Sequence, residues 1–420
     1  MTVLLFLVLT LIGTPLFAVV GGVALQLFHG ADISPMAVIV EMQRLASLPA
    51  LIAVPLFTFA GYMLAESKAP QRMLALAQAL FGSLSGGVAI AGLVACALFT
   101  AFTGASGVTI VALGGLVYPL LRSQGYPERF SLGLITTTGS LGLLFPPSLP
   151  IILYALVGKV SIDKLFASCA LPGLILILIL GAYAVVVARR NKVPRSAFSG
   201  RALKAAARAC AWEIPLPFVI IGGIYSGTFT ATEAASVMCV YVLAVEVFVY
   251  RDIRLRDLPG VMVRSQVLVG AILMMLGCAL GLTNYLIDAE VPARLFELVS
   301  SRFKEPWQFL ILLNAFLLVV NMIEIFSAIV IVVPIIVPVA LQYGIDPVHL
   351  GTLFLLNLEI GYMTPPLGLN LFLSSRRFDK PLGLLYGSTL PFWLVLLAAL
   401  GLVTYIPALS LWLPRVLNIP

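Results

Sequence analysis

Long apolar runs alternate with short polar breaks along this chain, and most runs have the length of a membrane span, about 20 helical residues. The first covers residues 3–28. It has neither a charged leading segment nor a small-residue cleavage site, so it reads as a retained span and not a signal peptide. Polar residues 32–44 lead into a second span near 48–64, followed by charges at Glu66, Lys68 and Arg72. Further spans are expected at 165–187, 235–250 and 267–286, with a closing segment at 384–413. Two runs do not fit this rhythm. Residues 87–121 and 309–341 are too long for one span and too short for two with a turn. Each has a polar interruption, at 103–107 in the first and at Asn321, Glu324 and Ser327 in the second. Both are predicted to be re-entrant hairpins with polar tips inside the membrane.

Two more apolar segments are broken by glycine and proline. The stretch 136–150 carries three threonines, two serines, two glycines and three prolines. Each proline removes a helical hydrogen bond and clashes with the preceding turn. In hydrocarbon such a break survives only where it is buried in protein or lines a cavity. The chain repeats the device at 360–370: Gly142, Pro146 and Pro147 recur 219 positions later as Gly361, Pro365 and Pro366. Pro70 and Arg72 recur 222 positions later as Pro292 and Arg294, and Ser106 recurs as Ser327. Residues 40–158 and 262–375 are thus expected to be two copies of one unit: lead-in span, hairpin, broken helix. An odd number of crossings between them would make the copies inverted, and paired broken helices of this kind point to a transporter's binding site.

Composition fixes the class. The 420 residues are 61% hydrophobic and 10% charged, where a soluble domain is nearer a quarter charged. This is a polytopic all-α membrane protein. Its net charge of +7 is not a nucleic-acid signal, because seven basic residues fall within 189–208 without an acid. That loop is placed in the cytoplasm by the positive-inside rule. Residues 202–212 within and beyond it are helix-prone and suited to lie along the membrane surface. Five scattered cysteines form no CxxC pair or disulfide framework and are expected to pack as small apolar residues. No hydrolase, nucleotide-binding or zinc-protease motif is present, so no enzyme is expected. The chain divides into scaffold spans 1–86, a first transport repeat 87–158, a central scaffold 159–307, a second repeat 308–375 and a final span 376–420.

Freed carbonyls at the breaks, together with nearby hydroxyls, make an oxygen cage suited to a hard cation. Half-helix N-termini offer positive dipole ends to an anion. In the first repeat the candidates are Thr103, Ser106, Gly139, Ser140, Gly142, Pro146 and Ser148. In the second they are Asn321, Glu324, Ser327, Asn357, Gly361, Thr364 and Pro366. Candidates for the substrate are Arg44, Ser106, Ser148 and Asn370. The bland alternative is a pair of structural kinks with satisfied hydroxyls, and Arg44 reads equally well as a snorkelling interfacial arginine. Glu324 is a functional candidate as an acid inside an apolar run. Glu359 reads either as part of the site or as a capping acid. Glu233 is expected to start a helix capped by Thr230 or Thr232.

Several motifs in this order, at 54–61, 103–106, 139–148, 223–235, 344–349 and 357–368, resemble the large membrane subunit of tripartite ATP-independent periplasmic (TRAP) transporters over essentially the whole chain. The resemblance implies sodium-driven uptake of an organic acid, usually a carboxylate, across the bacterial inner membrane. It also implies two partners, a small four-helix membrane subunit and a periplasmic binding protein. The family's elevator mechanism would move the hairpins and broken helices against the remaining spans. Two departures stand out: this chain has Ala105 where the family usually has a further serine, and Glu324 where it usually has aspartate. The expectation is an elevator-type permease of about eleven spans and two hairpins, needing no cofactor beyond the coupling sodium. The rivals are a stand-alone sodium- or proton-coupled anion transporter of similar architecture and a structural membrane subunit without transport of its own.

Overall fold

A computed structural model describes residues 14–320, 325–417 and 419. Among them every regular element is helical. The chain opens with α1 (Leu16–Gly30), α2 (Met36–Ala46), α3 (Ala53–Glu66) and α4 (Ala69–Phe81). The first repeat is α5 (Gly87–Thr103), α6 (Ser106–Ala112), α7 (Gly114–Ser123), α8 (Glu128–Leu141) and α9 (Leu149–Gly158). The centre comprises α10 (Ile162–Arg190), α11 (Gly200–Ala209), α12 (Pro215–Tyr225), α13 (Ala231–Ala244), α14 (Leu258–Asp288) and α15 (Val291–Ser300). The second repeat is α16 (Pro306–Val320), α17 (Ile325–Gln342), α18 (Pro347–Gly361) and α19 (Leu369–Phe378), and α20 (Leu382–Tyr405) and α21 (Ala408–Val416) close the chain.

Local chemistry sets these boundaries. Thr230 and Glu233 form a reciprocal capping box at the start of α13, as the sequence suggested. Ser161 caps α10, Ser199 caps α11 and Asp346 caps α18 with its carboxylate. Helix α11 buries no residue and packs on α4, in keeping with a surface element. All five cysteines are free, and four are buried.

The internal repeat holds element by element. Helices α8 and α18 begin 219 positions apart (347 minus 128), and α9 and α19 begin 220 apart (369 minus 149). Lys159 and Asp379, which end α9 and α19, both adopt the left-handed conformation, φ 54° and 51°. Both Pro-Pro bonds, 146–147 and 365–366, are cis.

The two copies also interlock. Helix α9 of the first repeat packs on α17 and α18 of the second, and α19 of the second packs on α6 and α8 of the first. The exchange extends outward, because α8 lies against α20 and α18 lies against α10. Around this core, α1, α2 and α3 pack on α14, and α3 also packs on α13.

Six helical stretches of the described residues are long and apolar enough to span alone, and eight qualify if each bent pair counts once. Leu16–Gly30, Pro215–Tyr225 and the arm Gly87–Thr103 are apolar but short, and Pro306–Val320 is apolar up to the edge of the described residues. At 1.5 Å per residue, an 11-residue helix covers only about half of a bilayer's core. The expected closing segment 384–413 is two helices, split at Ile406-Pro407 where the proline cannot continue the helical ladder.

Candidate functional site

The predicted hairpins lie where the chain's polarity changes. At the first, α5 ends at Thr103, Gly104 turns with φ +63°, and Ala105 is extended before α6 begins at Ser106. Glycine takes this left-handed turn without strain, and a Cβ on Gly104 would also meet Leu149 Cγ at 2.8 Å. The tip is therefore pressed against the start of α9, just past the first break. Residues 321–324 of the second tip, including Asn321 and Glu324, lie outside the described residues.

A cavity of about 800 Å³ opens between the first tip, the start of α17 and the outer helices. Gly104, Ser106, Ser327, Tyr362 and Leu369 form one wall. Tyr62 and Glu66 of α3 with Leu268, Ile272 and Met275 of α14 form another. Ser106 and Ser327, equivalent positions in the two repeats, thus share one chamber. Among the described residues Glu66 is the charged side chain in the lining, and its carboxylate accepts two bonds from Arg264 of α14, at 2.8 and 2.5 Å.

Behind the tips the breaks meet in a buried polar seam. In the first repeat the Thr103 and Ser148 hydroxyls are buried without a hydrogen-bond partner among the described residues. The Gly139 carbonyl accepts from Thr100 Oγ1 at 3.0 Å, and Thr100 is also hydrogen bonded to Thr109, 2.7 Å away. Gly142 has no room for a side chain, because a Cβ would lie 2.1 Å from the Ala97 carbonyl oxygen. Pro146 closes the break through its cis bond to Pro147.

The second repeat is more heavily engaged. Thr364 Oγ1 accepts from Trp393 Nε1 at 3.0 Å and donates to the Ile360 carbonyl at 2.8 Å. The Pro366 carbonyl accepts from the Tyr386 hydroxyl at 3.1 Å. Gly361 is buried at the end of α18. Asn357 turns away from the cavity and donates to Asn314 of α16 at 2.8 Å. Asn370 crosses between repeats, donating to the Thr136 carbonyl at 3.0 Å and to the Ser140 hydroxyl at 2.9 Å.

Arg44 stands apart from this assembly. Its side chain is exposed on α2 and pairs with Glu41 at 2.7 Å. Sequence reasoning passed over two features that the structure brings forward: the Glu66–Arg264 pair and the Thr100–Thr109 contact. Glu359, weighed from the sequence as a site residue or a capping acid, is fully buried directly before the second break.

A separate ion cluster ties α4 to the central helices. Arg72 donates to Glu213, to Asp252 and to both carboxylate oxygens of Glu246, and lies 3.8 Å from the Tyr250 ring centroid. Burial works against its charge, but Asp252, Glu213 and Glu246 outweigh burial and hold the guanidinium protonated well above its usual range.

Comparison with known proteins gives this architecture a family. Residues 3–409 match the profile of the tripartite ATP-independent periplasmic transporter, DctM component. A C4-dicarboxylate TRAP transporter large permease protein, DctM, of Pseudomonas aeruginosa is 40% identical over 367 residues, covering 87% of this chain and 86% of that protein. An isethionate TRAP transporter permease protein, DctMQ, of Oleidesulfovibrio alaskensis is 30% identical and aligns with 97% of this chain but 65% of its own length. Among solved structures, the Alcanivorax borkumensis YdaH transporter, described as having an unusual topology, superposes with TM-score 0.62 at 15% identity, covering 97% of this chain and 98% of that one. The likeness to YdaH is one of fold. With two repeats meeting at one chamber, and a profile match that runs nearly end to end, the chain belongs to the DctM family of TRAP transporter large permeases, which are transporters and not enzymes.

Proposed function

We propose that this chain is the transport subunit of a sodium-coupled importer of organic anions in the bacterial inner membrane. The observation that carries the reading is the convergence of Ser106 and Ser327 on one cavity, backed by the buried, unpartnered hydroxyls of Thr103 and Ser148. Unpaired buried hydroxyls are costly, and a hard cation held by them and by freed carbonyls relieves that cost. Gly139, Ser140, Gly142 and Pro146 supply the first cage. Ser327, Gly361, Thr364 and Pro366 supply the second, with Asn321 and Glu324 assigned to it from the sequence. The relatives named for C4-dicarboxylate and isethionate support an anionic substrate, carboxylate or sulfonate. The substrate sits in the cavity, with Ser106 on its wall and Ser148 and Asn370 behind it. Arg44 keeps its part only as a residue met by the substrate on the way.

The cavity lies between the interlocked repeats and the α1–α3–α14 group, which suits an elevator in which the repeats slide against those helices. The partners are a small membrane subunit and a periplasmic binding protein. The DctMQ relative, about a third of which this chain does not cover, supports the first. The basic loop at 189–208 faces the cytoplasm.

The test is uptake of labelled C4-dicarboxylate or isethionate into liposomes containing the permease and its small subunit, with and without binding protein and an inward sodium gradient. Uptake that needs both, and falls in Ser106→Ala and Thr364→Ala, supports the proposal. Uptake without a binding protein favours a stand-alone anion transporter. Mutants as fast as the parent reduce the breaks to structural kinks.

A further inference from the structure

Glu359 is fully buried on α18, and neither carboxyl oxygen has a hydrogen-bond partner among the described residues. The Ser140 hydroxyl of α8 stands beside it. That hydroxyl also accepts from the Asn370 amide of α19 at 2.9 Å, while the Asn370 amide oxygen is buried and unpartnered as well. A carboxyl, a hydroxyl and an amide oxygen therefore gather where the two broken helices cross. This group is built from residues of both repeats, unlike the tip cages, each of which draws on one.

No cation of the protein answers this charge among the described residues. Of the titratable side chains that neighbouring elements present to α18, Tyr154 of α9 lies against Gly351 and Cys169 of α10 near Thr352. Both meet α18 about two turns before Glu359 and are neutral groups at pH 7. The cations Lys164 of α10 and Arg415 of α21 gather at the start of α18, beside Val348, about three turns from Glu359. His349, on α18 itself, is nearly three turns away and is occupied by Ser410 of α21 at 2.7 Å. From α16 and α20 the nearest polar groups are the uncharged Asn314 and Trp393, bonded to Asn357 and Thr364. A bare carboxylate in such surroundings is strongly unfavourable, and proteins relieve it by protonating the group or pairing it with a positive ion.

We infer that Glu359, Ser140 and Asn370 form a binding site for one monovalent cation, sodium or a proton, that moves with the substrate, shares Ser140 with the first hairpin-tip cage and otherwise lies apart from both cages. One carboxylate with two neutral oxygens matches a single positive charge, whereas a divalent ion draws on more oxygen ligands and more negative charge. The inference rests on the cation-coupled reading above and adds a second kind of site to it.

Infrared difference spectra of the purified full chain test it without requiring transport. The C=O stretch of a protonated carboxylic acid is expected in sodium-free buffer and absent from Glu359→Gln. Its loss on adding sodium identifies sodium as the ligand. Its titration with pH, unaffected by sodium, identifies the proton. A spectrum with no such band, or a Glu359 band indifferent to both sodium and pH, overturns the site. Uptake supplies the second arm: Glu359→Gln is expected to lose one cation from the coupling stoichiometry, seen as a lower Hill coefficient for sodium or as loss of acceleration by an inward proton gradient. A sodium-dependent parent with an unchanged mutant sinks this inference alone. A parent indifferent to both ions sinks the functional reading itself, while the spectra still decide whether the site exists.

Discussion

The side-chain amide of Asn370 reaches from the second broken helix to the Ser140 hydroxyl of the first, 2.9 Å away, and to the Thr136 carbonyl on the same face, 3.0 Å away. One short side chain therefore fastens the two repeats at their crossing. Asn370→Ala removes both bonds and strands buried acceptors, at a cost of about 1–3 kcal/mol for each group left unsatisfied. A lower thermal midpoint in detergent, with a matching loss of uptake, is the expected result. A midpoint equal to the parent's would mean that these two bonds add nothing net to the seam.

Gly61 and Gly142 separate two kinds of close approach. A Cβ on Gly61 of α3 would sit 2.5 Å from the Phe102 carbonyl oxygen and 2.6 Å from Thr103 Cα, at the hairpin tip. A Cβ on Gly142 would collide with the Ala97 carbonyl oxygen and the Ala101 nitrogen, inside the repeat. Gly61→Ala is expected to yield folded protein with impaired uptake, because the α3–hairpin surface can part. Gly142→Ala is expected to fail at assembly, since the backbone it would strike belongs to the same repeat and cannot part from it. Size-exclusion profiles read beside uptake rates check both, and the reverse pattern would contradict a sliding surface at Gly61.

Arg72 answers three acids at once, with 12% of its side chain exposed against 4% for Glu213 and none for Glu246. Arg72→Ala leaves those carboxylates crowded and uncompensated, and breaking a buried ion pair from one side costs about 3–5 kcal/mol. Arg72→Lys is expected to rescue little, because a single ammonium lacks the planar fork that serves three partners. Denaturation in detergent distinguishes these outcomes. Lysine matching the parent would show that charge, and not geometry, holds the cluster.

Glu66 and Arg264 form the charged edge of the cavity. Arg264→Gln leaves a bare carboxylate facing an anionic substrate, and a tenfold rise in KM for uptake corresponds to about 1.4 kcal/mol. The double variant with Glu66→Gln is expected to recover most of that loss. A KM unmoved in Arg264→Gln would place the substrate away from this edge.

The first hairpin, the breaks and the repeat were legible in the sequence because glycine, proline and serine clustered inside an apolar run interrupt a helix that hydrocarbon would otherwise keep continuous. Gly104 turns at the expected tip, and Gly142 and Gly361 sit at equivalent breaks. The span count was less legible, since hydropathy does not distinguish half-length helices such as Pro215–Tyr225 from full crossings. Partnerships were the least legible. Nothing local joins Glu66 to Arg264, 198 positions away, or Asn370 to Ser140, 230 positions away. Those pairings are made by the packing of distant helices, which no local pattern encodes. Arg44 shows the converse: its position before a span suggested a ligand, yet it pairs three residues back with Glu41.

The reciprocal packing of the repeats also bears on how the protein is made. Helices α8 and α9 rest on α17, α18 and α20, whose residues are synthesised some 200 positions later. At 5–20 residues per second, that lag is roughly 10–40 s. Throughout it the first break sits in the membrane without the helices that later enclose it, its unwound backbone still needing hydrogen-bond partners. The nascent first half therefore has to keep that backbone satisfied for the whole lag, a demand that ends when the second half packs against it.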